Sequence, residues 1–226
     1  MHSGSSPGAR LAPRCTGVIL AGGRAARYGG RAKGLEPVGG VRVIDRVAEA
    51  LRSATDDLLL IANDPAAGGW LPGVRTASDV RPGCGSLGGI HAALVHAGGA
   101  VLVVAWDMPF VPGTLLSALR ALGETADVAV PESDSRRGVE PLCAYYGPAC
   151  RAPIEARLDA GERRVVGFYD AVRVARLDAA AVRRFGDPAR LFMNVNTPDE
   201  LALAEHHAGS SQSAADGGDR RTEAPR

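Results

Sequence analysis

Short apolar runs alternate with segments of helical period through the first 131 residues, and few architectures accommodate that alternation. The runs are GVILA (17–21), DLLLIA (57–62), GVRTA (73–77), AVLVVAW (100–106) and DVAVP (127–131). A strand buried on both faces has this character, because neither row of side chains meets water. Between the runs, VIDRVAEALRSA (43–54), LGGIHAALVHAG (87–98) and PGTLLSALRALG (112–123) repeat apolar residues at three and four, which predicts helices. Strand, helix, strand succession requires right-handed crossovers and gives an α/β chain with a doubly wound, mostly parallel sheet. Ligands of such sheets bind beyond the carboxyl ends of the strands. The loops at 21–40, 78–86 and 107–111 are therefore expected side by side.

After residue 131 the pattern changes. GVEPLCAYYG (138–147) predicts a strand returning antiparallel at the edge of the sheet, and residues 148–170 predict one or two helices. LFMNVNTPDELALAEHHA predicts a strand or loop leading into a last helix. There Thr197, Pro198 and Glu200 have the spacing of a capping box with proline in the first turn. Residues 1–14 and 208–226 are rich in Gly, Ser, Ala, Arg and Asp without apolar period, and are expected to be disordered tails around one domain at 15–207.

Composition mainly excludes. A formal net charge of +1 gives no reason to invoke nucleic acid or an anionic membrane surface, so any anion site must be local. No apolar run approaches the roughly 20 residues that span a bilayer, and the leading residues lack a secretory apolar core. A cytoplasmic protein with no membrane partner is the expectation. Cys15, Cys84, Cys143 and Cys150 form no CxxC pair and have no histidine pair at metal-ligand spacing, so they read as free thiols.

The sequence concentrates charge in one place. LAGGRAARYGGRAKGL (20–35) follows the first apolar run and carries Arg24, Arg27, Arg31 and Lys33, the last being the only lysine in the chain. Paired glycines let backbone N–H groups approach a ligand closely, and the clustered cations repel one another unless an anion offsets them. A lysine places a point charge among phosphate oxygens where a planar guanidinium does not fit. The loop is not a P-loop, because Lys33 is followed by Gly34 and not by Ser or Thr. Nor is it a dinucleotide fingerprint, because its glycines are adjacent pairs. A surface turn with solvated arginines is the bland alternative.

The stretch VILAGGRAARYGGRAKGL resembles the signature loop of the nucleotidyltransferases, in particular of the molybdenum cofactor guanylyltransferase family, whose pattern is close to LAGGxxxRMGGxDKGL. SDVRPGCGSLGGIHAAL resembles that family's second loop, WDMPFV its DxP(Y/F) loop, and AGERRV and NVNTPDEL recur in the family's order. These matches span about residues 17–202. The resemblance implies a Rossmann-like nucleotidyltransferase fold. It also implies an Mg2+-dependent enzyme that moves GMP from GTP to the terminal phosphate of molybdenum-molybdopterin and releases pyrophosphate, with transient contact with molybdoenzymes or their chaperones as a further expectation.

By the same resemblance Leu20, Ala21, Gly22 and Gly23 wrap the nucleotide, Lys33 and Arg27 face its phosphates, and Asp79 binds the nucleotide. Asp107 stands where the fourth apolar run ends, several residues before the next helix, so Mg2+ ligation suits it better than capping does. Asn63 ends the second run and is suited to reading base or ribose, or to holding a turn. Asn194 and Asn196 share a face by the strand period, and with Arg164 they are the expected acceptor contacts. Ala32 stands where the family has aspartate, and Tyr28 where it has methionine. CMP transfer to the same acceptor, nucleotidyl transfer to a sugar phosphate, and a non-catalytic nucleotide-binding adaptor remain as alternatives.

Overall fold

A computed structural model describes residues 14–22 and 33–216, with side chains described as far as residue 209. Its main sheet has seven strands: β1 (Cys15–Ala21), β4 (Asp57–Ala62), β5 (Arg75–Ala77), β6 (Ala100–Ala105), β7 (Val128–Pro131), β8 (Cys143–Tyr146) and β9 (Val174–Leu177). The order across the sheet is β5-β4-β1-β6-β8-β7-β9. β2 (Pro37–Val38) and β3 (Val41–Arg42) form a small separate hairpin. The helices are α1 (Val43–Arg52), α2 (Gly85–Ala97), α3 (Gly113–Leu122), α4 (Arg151–Asp159), α5 (Ala179–Val182), α6 (Pro188–Leu191) and α7 (Pro198–Asp216).

β1 and β6 are apolar because both of their faces are covered. They pair in parallel from Cys15 opposite Ala100 to Leu20 opposite Ala105, and their alternate residues enter two different cores. Ile19, Leu60, Leu102 and Val104 pack with α1 and α3. Val18, Leu59, Val101 and Val103 pack with α2, α4 and the 3-10 segment Val165–Ala171. On α1, Val43, Ile44, Val47, Ala48 and Leu51 are buried, and full burial contributes at most about 1.5–3 kcal/mol for each larger side chain. A third cluster joins the hairpin to the last helix through Val38, Val43, Val195, Ala204 and Ala208.

The antiparallel strand differs from expectation in its position. β8 pairs antiparallel with both β6 and β7, so it lies inside the sheet and not at its edge. All four of its residues are buried, and the edge belongs to β9, whose residues are partly or fully exposed. β8 is the one strand of the seven that runs against the rest. The last helix also continues to Asp216, past the residue 207 boundary read from composition.

From β1 the chain steps outward through β4 to β5, then returns across β1 to β6 on the other side. The carboxyl ends of β1 and β6 therefore flank the point where the winding direction reverses, and a crevice opens there.

Candidate active site

A cavity of about 530 Å3 occupies that crevice, lined by residues that include Leu20, Gly22, Asn63, Asp79, Gly83, Gly85, Ser86, Asp107, Leu142 and Arg163. The loops after β1, β4, β5 and β6 thus converge on one space. Its floor includes Trp106, which is 4% exposed and stacks on Trp70 with ring centroids 5.2 Å apart. The Trp106 backbone N–H donates to the Leu20 carbonyl at 3.2 Å, which carries the β1–β6 ladder up to the rim of the site.

Asn63 and Asp79 form a reciprocal pair. The Asn63 side-chain amide donates to Asp79 Oδ2 at 2.7 Å, and the Asp79 backbone N–H donates to Asn63 Oδ1 at 2.9 Å. The pair ties the loop after β4 to the loop after β5. One Asp79 oxygen stays uncommitted by this pairing, and so does one Asn63 amide proton.

Asp107 lies at the opposite end of the cavity. Burial raises its carboxyl above the ordinary carboxylate range; its own backbone N–H and the nearby Lys33 ammonium oppose that rise, and Glu200 adds to it. A buried carboxylate facing a cavity and only partly offset by one cation suits a divalent metal, which takes oxygen ligands and completes its shell with phosphate oxygens and water. Among the described residues no three His, Cys, Asp or Glu side chains cluster as a metal cage. Asp107 fits as a single protein ligand to a metal shared with substrate.

Lys33 begins a 3-10 turn, Lys33–Leu35, and does not line the cavity itself. Its ammonium donates to Asn196 Oδ1 at 3.0 Å. Gly34 holds the turn in place: a Cβ there would sit 2.4 Å from the Trp106 ring, so only glycine lets the backbone rest on the indole.

Asn196 and Asn194 occupy the extended segment before α7. Val195 between them is buried and donates its N–H to the Asp107 carbonyl at 2.9 Å. The segment is therefore fixed on Asp107 and presents Asn196 to Lys33, whereas the Asn194 amide donates to the Phe192 carbonyl at 3.3 Å. The capping box is present in modified form. Glu200 N–H donates to Thr197 Oγ1 at 3.2 Å, but the Glu200 carboxylate accepts from the Asn196 N–H at 2.6 Å and not from Thr197. Glu200, read from sequence only as a cap, thus supports the asparagine that holds Lys33.

Arg164, expected at the acceptor, is exposed, begins the Val165–Ala171 turn and does not line the cavity. Its neighbour Arg163 does. Gly23, Arg27, Tyr28 and Ala32 lie outside the described residues. Sequence reasoning missed Leu142, Ser86, Trp106 and Arg163. The apolar character of Leu142 and Trp106 gave no functional signal, and two adjacent arginines cannot be told apart by type. All four cysteines are free, as expected.

A doubly wound sheet, a glycine-rich first loop and a carboxylate beside a lysine at the switch point define a nucleotidyltransferase. The chain belongs to the MobA-like NTP transferase domain family, which it matches over residues 17–174. It is 36% identical over 193 residues to the molybdenum cofactor guanylyltransferase of Desulfosudis oleivorans, covering 84% of this chain and 94% of that one. To the molybdenum cofactor guanylyltransferase of Cereibacter sphaeroides it is 39% identical over 196 residues, covering 85% and 96%. A crystal structure of molybdopterin-guanine dinucleotide biosynthesis protein A from Archaeoglobus fulgidus superposes with a TM-score of 0.73 at 30% identity, covering 86% of this chain and 99% of that one.

Proposed function

We propose that this chain transfers GMP from GTP to the terminal phosphate of molybdenum-molybdopterin and releases pyrophosphate, forming the guanine dinucleotide form of the cofactor. The carrying observation is that Asp107 lines one end of a cavity whose other end holds the Asn63–Asp79 pair, and that Lys33, held by Asn196, acts on Asp107 from beside it. The guanylyltransferase relatives supply the choice of substrates.

In this reading the base and ribose lie toward Asn63 and Asp79, and the triphosphate runs past Gly22 toward Asp107. An oxygen of the acceptor phosphate forms a bond to the α-phosphorus, and the bond from that phosphorus to the bridging α–β oxygen breaks, its electron pair leaving with pyrophosphate. The acceptor phosphate is already an anion, so no protein base has to remove a proton. Lys33, held in position by Asn196, offsets charge on the departing group. Asp107 would hold Mg2+, which supplies neutralisation of phosphate charge when bound. The protein's remaining work is alignment, in a space walled by Leu142, Trp106 and the α2 loop.

Purified protein supplied with GTP, Mg2+ and molybdenum-molybdopterin is expected to release one pyrophosphate per dinucleotide formed, and Lys33→Ala and Asp107→Ala each to slow the release at least about a hundredfold. Activity that survives both changes sinks the reading. Supplying CTP or a sugar phosphate in the same assay distinguishes the neighbouring transferase activities, and GTP binding without turnover would mark an adaptor.

A further inference from the structure

Two tryptophans meet where the loops after β1, β4 and β6 converge, and one of them stands outside the cavity. Trp106 lines it, whereas Trp70, which closes the 3-10 turn Ala67–Gly69, is 7% exposed and does not. Their indoles stack with centroids 5.2 Å apart and planes within 18° of parallel. Both belong to the core on the α1 and α3 face of the sheet.

The stack supports the turn that carries Lys33. A Cβ at Gly34 would collide with Cε3, Cδ2 and Cζ3 of Trp106, so the Lys33–Leu35 backbone is seated on that ring, and Leu35 packs into the same core as both indoles. The turn is also tied through the backbone. The Glu36 N–H donates to the Lys33 carbonyl at 3.1 Å, and the Val43 N–H, at the start of α1, donates to the Glu36 carbonyl at 3.0 Å. One residue earlier, the Arg42 guanidinium donates to the Trp70 carbonyl at 3.0 Å while it holds Asp45 at 2.6 and 2.8 Å. The contacts form a closed ring that runs from the Lys33 turn to Trp106, to Trp70, to the start of α1 and back to the turn.

Within that ring the part played by Trp70 is orientation. An aliphatic side chain would fill much of the same space, but a stacked planar partner also fixes the tilt of the Trp106 ring. The tilt matters because Gly34 rests on that ring and the residue before it bears the ammonium, which must reach Asn196 Oδ1 at 3.0 Å. A displacement of about 1 Å in a group that acts on the reacting atoms costs up to about a hundredfold in rate.

We propose that Trp70 is a positioning residue for Lys33, holding its ammonium in place through the Trp106 ring and the turn seated on it. The action of that ammonium on departing pyrophosphate rests on the reaction proposed above, so one arm of the test needs no turnover. Lys33 is the only lysine in the chain, and acetylation by an N-hydroxysuccinimide ester, read by peptide mass spectrometry, reports this one side chain. Trp70→Leu is expected to raise its labelling rate at least about threefold, toward that of Asn196→Ala, and Trp70→Phe, which keeps an aromatic partner, to leave it near the parental rate. Leu119→Ala serves as the control for general loosening: it empties part of the same core at the end where Arg120 of α3 meets Asp56. It should lower Tm and leave the labelling unchanged.

In the second arm, pyrophosphate release, Trp70→Leu is expected to lower kcat about tenfold with KM for GTP within about twofold. In a Lys33→Ala background the same change should alter kcat by less than about twofold, because two changes that act through one group do not add. Should Trp70→Leu fail to fold, Arg42→Met, which releases the Trp70 carbonyl without emptying the core, carries the same labelling expectation. Parental labelling in the folded variants overturns the proposal. So does an equal rise in Leu119→Ala, or a tenfold loss of kcat that persists without Lys33. A parent protein inactive on GTP whose Lys33 labelling still follows Trp70 would sink the guanylyl reaction and leave the role of Trp70 standing.

Discussion

The Lys33 ammonium is held by the Asn196 side-chain carbonyl at 3.0 Å, across 163 positions of sequence. This cation, which acts on Asp107, is thus positioned by the far end of the domain, through a segment fixed on Asp107 by the Val195 N–H. The Asn196 N–H is in turn held by Glu200, so the position of the ammonium depends on a chain of three side chains.

Removing that charge should cost about 10^2–10^3 in kcat, the range for loss of one preorganised group at a developing charge. Lys33→Ala is expected to show this loss in pyrophosphate release, and Lys33→Arg to restore little of it, because a planar fork does not reproduce a point charge. Asn196→Ala should give a smaller loss, about tenfold, with the lysine present but unguided. A Lys33→Arg protein at parental rate would show that charge alone suffices.

Asp107 is suited to hold metal in company with phosphate oxygens, since among the described residues no cage of carboxylates surrounds it. Thermal unfolding should therefore respond strongly to GTP with Mg2+ together and weakly to Mg2+ alone. Asp107→Asn is expected to remove the joint shift and to reduce turnover at least a thousandfold. An undiminished joint shift in that variant would place the metal elsewhere.

Gly34 offers a test of how packing serves the site. A Cβ added there would approach the Trp106 ring to 2.4 Å, and a buried overpacking of this kind costs about 1–3 kcal/mol. Gly34→Ala should lower Tm, change the tryptophan fluorescence that reports the Trp70–Trp106 stack, and reduce kcat by displacing Lys33 next to it. Normal fluorescence combined with normal kcat would count against the contact.

Stability in acid should depend on Asp56. Its carboxyl is held below the ordinary range mainly by the Cys15 N–H, donated at 2.8 Å, with the Arg120 guanidinium at 2.7 Å contributing. A depressed carboxyl stabilises the fold above its unfolded value, about pH 4, and that contribution is lost as pH falls through the lower folded value. Because the pair is partly solvent-screened, Asp56→Asn should cost about 1 kcal/mol at pH 7. Denaturant midpoints of the two proteins should converge below about pH 3. A constant gap across that interval would assign the cost to shape instead of charge.

The central strands were legible because their burial on both faces leaves a continuous apolar record, as in AVLVVAW. β9 left no such record: VARL carries an arginine and forms a partly exposed edge. The place of β8 was hidden for a different reason, since strand order is set by pairings between distant segments and CAYY reads alike at an edge or in the middle. Within the site, Lys33, Asp79 and Asp107 were marked by residue type and by the loops that carry them. Arg163 was not, because two adjacent arginines give no sign in the sequence of which one lines the cavity.

The reversed strand β8 has a consequence for how this fold can be altered. A strand running the other way brings its leading end to the cavity, so Leu142 arrives ahead of β8, and the chain then passes through α4 to return with Arg163. Both residues thus fall within one uninterrupted stretch, 140–164. The lining from Leu20 to Asp107 lies upstream of it, and Asn196, which holds Lys33, lies downstream. Exchanging 140–164 between relatives would therefore replace this wall of the cavity alone and leave Asp107, Lys33 and the Asn196 that holds it in place.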